Sequence, residues 1–79
     1  MNLSELANEC AKSMLESYYS ENKMLFTLDY FKGIFPEESE DTITQALITL
    51  ENDNLVKIFF ADGVAYTTSL LPEAIKKSD

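Results

Sequence analysis

Histidine, arginine and tryptophan are missing from this chain, and cysteine occurs once. Without histidine, Cys10 has no imidazole to act as its base, and the commonest metal ligand is lost. Cys10 falls on the apolar stripe of a helical segment, where a buried structural thiol is the expected role. A lone cysteine forms no internal disulfide, which favours a reducing compartment. The lack of arginine removes the usual bidentate reader of guanine in the major groove. Two glycines and two prolines leave no phosphate-cradling loop, no linker and no low-complexity tract. No run approaches the roughly 18–20 apolar residues of a membrane span. The start, Met1-Asn2-Leu3-Ser4-Glu5, has neither the basic opening nor the apolar stretch of a secretory signal. The expectation is a cytoplasmic, non-enzymatic chain without cofactor or metal.

What is abundant is negative charge. Fourteen Asp and Glu face six Lys, for a net charge of −8. A phosphate-binding surface needs clustered cations to displace counterions, so nucleic acid is a poor partner for this composition. Anionic membranes are disfavoured on the same ground, and a basic protein is favoured. Apolar residues make up 46% of the 79 positions. That suits one folded domain, residues 1–79, burying roughly 60–65% of its unfolded surface.

Leu3, Leu6, Ala7, Cys10, Ala11, Met14, Leu15, Tyr18 and Tyr19 keep helical spacing and predict an amphipathic helix over 3–20. Asn2 and Glu5 suit a capping box at its start. A stripe this long can exceed what a thin core covers, so a homodimer through this helix is one expected arrangement. Met24-Leu25-Phe26 reads as a short strand. Thr27 then caps a helix from Leu28 to Lys32, with Gly33 expected to end it in the left-handed conformation. Pro36 keeps Phe35 out of helical geometry. Ser39 is the expected cap of a helix over 40–53, whose inner stripe is Ile43, Ala46, Leu47 and Leu50. Glu37, Glu38, Glu40 and Asp41 gather at its start, where the macrodipole favours negative charge.

Asp62-Gly63, between Leu55–Ala61 and Val64–Leu70, is a strong signal for a two-residue hairpin turn. That loop places Phe59 opposite Tyr66 and Lys57 opposite Thr68. Val56, Ile58 and Phe60 then share the other face with Ala65, Thr67 and Ser69. The opposite choice of buried face exchanges these roles. Residues 72–77 fit one more helical turn.

The order helix, short strand, helix, helix, strand, tight turn, strand resembles the winged helix-turn-helix superfamily. The run from Ser39 to Val56 carries the likeness, with Ala46-Leu47-Ile48-Thr49-Leu50-Glu51 followed by a turn and Leu55-Val56. Phe26-Thr27-Leu28-Asp29 resembles the short strand and capped start of the preceding helix. Ala65-Tyr66-Thr67-Thr68 resembles the returning strand of the wing. The resemblance covers roughly residues 1–70 and implies a small α+β winged-helix domain. It departs from the DNA-binding members in charge. Residues 37–54 contain no Lys, and Lys57 is the only cation of the expected wing.

Two functions follow from the residues. In the first, the chain is an acidic protein-interaction module, an inhibitor or regulator of a basic or nucleic-acid-binding protein. Its contact residues would be Glu37, Glu38, Glu40, Asp41, Ile48, Phe59 and Tyr66, because exposed aromatics are enriched in interfaces and acids complement a basic surface. An aromatic pair across a hairpin also stabilises the hairpin by itself. In the alternative, a dimeric transcriptional regulator reads DNA with Thr44, Gln45 and Asn52. Those amide and hydroxyl side chains can address base edges. Lys23, Lys32 and Lys57 would then supply phosphate contacts.

Overall fold

The structure is a computed structural model that describes residues 1–78. Its first helix, α1 (Leu3–Glu21), starts where the capping box predicts. The Asn2 side chain accepts from the Glu5 amide at 2.8 Å, and Glu5 accepts from the Asn2 amide at 3.1 Å. Asn22 ends the helix in the left-handed region at φ 58°. Leu6, Ala7, Cys10 and Met14 form the buried stripe. Burial pushes the Cys10 thiol up to about 12, and the neighbouring Glu9 carboxylate adds to the shift.

Strand β1 (Leu25–Thr27) runs directly into α2 (Leu28–Ile34), whose first-turn Tyr30 amide is capped by the Thr27 hydroxyl. Gly33 does not play the part the sequence suggested. It lies inside α2, without positive φ, and the helix stops one residue later. Termination falls to Phe35, at φ −121° and ψ 65°, because Pro36 excludes the helical conformation there. Helix α3 (Glu40–Asn52) begins at Ser39, whose hydroxyl accepts from the Thr42 amide at 3.1 Å. Glu40 and Asp41 occupy its first turn.

Strands β2 (Val56–Ala61) and β3 (Val64–Leu70) form the hairpin. Asp62 at φ 54° and Gly63 at φ 80° supply the two positive φ values that a type I′ turn requires. The three strands are antiparallel in the order β1-β3-β2.

Only the first two pairs after the turn, Ala61 with Val64 and Phe60 with Ala65, keep the simple hairpin register. Phe59 then pairs with Thr67, so Tyr66 is an extra residue without a partner on β2. This bulge overturns the predicted facing of Phe59 with Tyr66 and of Lys57 with Thr68; Lys57 is opposite Ser69. One additional residue reverses the alternation of a strand. Beyond it, Thr68 and Leu70 share the buried face with Val56 and Ile58, where the simple register would have put Thr67 and Ser69.

Val56 and Ile58 are buried, which decides the face that the sequence left open, while Phe60, near the hairpin tip, is exposed. Helix α1 packs on α3, and α3 packs on β2 and β3. Phe26, Phe31, Met14, Ile43 and Leu47 fill the space between them with essentially no exposure. After β3, α4 (Pro72–Ser78) turns back against α1, with Ala74 joining the core. The architecture is a small α+β domain of four helices and a three-stranded antiparallel sheet. Among the described residues, no helix is long and apolar enough to cross a membrane.

Candidate interaction face

The hairpin exposes three large aromatic side chains. Phe59 is 53% accessible, Phe60 52% and Tyr66 62%. An alternating hairpin with one buried face would have hidden one of the two phenylalanines. Phe59 lies on the outer face of β2, and Phe60 projects beyond the core near the hairpin tip, so both are in water. Large exposed aromatic side chains are a feature associated with contact surfaces.

Tyr66 also meets the start of two helices. A hollow of about 300 Å³ is lined by Thr27, Leu28, Asp29, Glu40 and Tyr66. Asp29 stands in the first turn of α2 and Glu40 in the first turn of α3. Two acidic residues from different helices therefore line one hollow with an aromatic residue.

The four acids singled out in the sequence do not form one site. Glu40 joins Asp29 and Tyr66, whereas Glu37 and Glu38 line a separate hollow with Met1, Ile34, Phe35 and Pro36. Asp41 is exposed on α3 and lines neither. Asp29 was not among the predicted contact residues. Its signal was present in the sequence, as an acid two positions after the cap Thr27, and its neighbour Tyr66 is supplied by the distant bulge.

No protein family, curated protein or solved structure matches this chain. The functional reading rests on the arrangement of its own residues.

The positions proposed for reading DNA are divided. Thr44, offered above as a reader of base edges, is buried, at 3% exposure. Its hydroxyl accepts from the Ala65 amide at 3.0 Å, beside the bulge. A buried amide next to an irregular pairing needs such an acceptor, and this need draws Thr44 inward. Gln45 and Asn52 are exposed and, with Asp41, lie on the outer stripe of α3. Ile48, offered above as a contact residue, is half-buried and packs on the edge of the core.

The lysines are divided too. Lys57 is exposed. Lys23 holds its ammonium 4.6 Å from the Tyr30 ring centre and 5.3 Å from that of Phe26. Lys32 donates to the Glu38 carbonyl at 2.7 Å. Two of the three cations offered for phosphate contacts are thus engaged within the molecule. Tyr30 itself ties α2 to α1, with its hydroxyl 2.6 Å from Ser13 Oγ and 2.9 Å from Ser17 Oγ. Among the described residues, no group of three or more Cys, Asp or Glu is placed to hold a metal ion.

Proposed function

We propose that this chain is a non-enzymatic, acidic interaction module of winged-helix type, which docks a basic protein on its hairpin. The β2–β3 hairpin is the wing in this reading, and α3 is the helix that DNA-binding relatives would place in the groove. The supporting observation is the juxtaposition of Tyr66 with Asp29 and Glu40, on the same hairpin as exposed Phe59 and Phe60. Aromatic rings supply desolvated anchor area, while carboxylates beside them attract Lys or Arg side chains. A cationic side chain entering the hollow would meet both carboxylates and the tyrosine ring. A protein whose own basic surface binds nucleic acid fits that chemistry, and occupying its basic surface would inhibit or regulate it.

The DNA-reading alternative draws no support from Thr44, Lys23 or Lys32, whose side chains are taken up inside the fold. Fluorescence anisotropy of labelled mixed-sequence duplex DNA separates the two readings. The expected trace at low salt is flat up to high protein concentration. A rise that collapses as salt is added would instead indicate phosphate contacts and favour the regulator.

A further inference from the structure

We propose that the outer face of α1 binds the α1 of a second copy of this chain, in antiparallel orientation about a two-fold axis near Met14 and Leu15. The face is a shallow depression of about 710 Å³, lined by Asn8, Ala11, Lys12, Leu15, Glu16 and Tyr19 among others. Ala11 and Leu15 are only half-buried there, and Tyr19 is 56% exposed. The same two residues, Ala11 and Leu15, continue into an apolar cleft of about 150 Å³ with Met14, Leu55 and Ala74. The apolar strip therefore runs past the helix onto the base of the hairpin and α4.

Charge decides which occupant fits and in which direction. Lys12 and Glu16 are exposed and flank this strip one helical turn apart, about 6 Å along the axis. A two-fold axis perpendicular to the helix brings like flanks of the two copies together while reversing their direction. Lys12 of each copy then stands beside Glu16 of the other, twice over. Leu15 meets its own counterpart close to the axis, and Tyr19 reaches over Ala11 and Asn8 of the second copy. A parallel two-fold pairing would carry this flank to opposite sides of the seam in the two copies and leave Lys12 and Glu16 without partners across it. The strip is thus self-complementary in one orientation, the requirement for an isologous interface. It shares no residue with the hairpin face, so this dimer does not depend on the function proposed above.

Sedimentation velocity across a concentration series at low salt tests it. The wild-type chain is expected to dimerise, and Leu15→Lys to remain monomeric with an unchanged circular dichroism spectrum. Lys12→Glu and Glu16→Lys are surface changes, which keep the test valid if Leu15→Lys unfolds. Each reversal alone should weaken dimerisation about tenfold, since two attractive contacts become repulsive, and the double reversal should restore it. One reversal makes the chain more acidic and the other less, so an effect of net charge alone would move them in opposite directions. That outcome, an unchanged affinity in both, or a monomeric wild type throughout would overturn the proposal.

Discussion

Two buried threonines show how the same side chain can help or burden this fold. Thr44 Oγ1 accepts from the Ala65 amide, so Thr44→Val leaves a buried donor unpaired. The expected loss is about 1–3 kcal/mol in urea denaturation. Thr68 is fully buried and its hydroxyl has no hydrogen-bond partner. Replacing it with valine keeps the shape, removes the unpaired polar group and favours the strand. Thr68→Val should therefore raise stability, by about 1 kcal/mol. The opposite signs at two sites with identical chemistry test whether hydrogen-bond satisfaction governs this core. Residue-scale signals of this kind were only partly legible in the sequence. Asn2, Thr27 and Ser39 were, because a cap acts on an amide three residues away. Thr44 was not, because its partner lies 21 residues later and exists only once the hairpin has docked on α3.

At the scale of elements, α3 does more than supply an apolar stripe. Its Glu51 carboxylate accepts from the Ile58 amide at 2.8 Å, covering a polar group of β2, the outer strand of the hairpin. Unpaired edge amides invite pairing with other chains, and this contact closes one of them. Glu51→Ala should cost about 1.5–3 kcal/mol, the range for hydrogen bonds to a charged partner. Glu51→Gln keeps an acceptor and should recover part of the loss. Amide exchange at Ile58 should quicken in the alanine variant before global unfolding does, and equal protection in both chains would count against this role.

The helices, their caps and the Asp62-Gly63 turn were readable because each depends on local spacing or on φ. The bulge was not. A tight turn fixes the register of the residues beside it, and one unpaired Tyr66 then shifts every later pair. The same shift separates Phe59 from Tyr66, whereas the exposure of Phe60 comes from its place near the hairpin tip, beyond the core. Gly33 misled for a different reason: Phe35-Pro36 already ends α2, so no left-handed glycine is needed.

For the whole molecule, charge and exposed aromatic surface point the same way. A net charge of −8 repels polyanions over the range of the Debye length, and it speeds encounter with a basic partner at low salt. In the proposed function, specificity would fall to the hairpin, where Tyr66 lines a hollow with Asp29 and Glu40. The acids were visible in the sequence as a run near α3. Their division into two hollows, and the joining of Glu40 to Asp29, depended on tertiary contacts that no local pattern encodes. The proposed α1 dimer would leave the hairpin residues of each copy unused, so two partners could be held at once.

The most direct test of this account is affinity capture from the source cell with two baits, the wild-type chain and a Phe59→Ser, Phe60→Ser, Tyr66→Ser variant shown to be folded. The account predicts a basic protein that the wild type retains and the variant loses, with faster association at low salt. The same protein held equally by both baits would contradict it, and would move the binding site away from the hairpin.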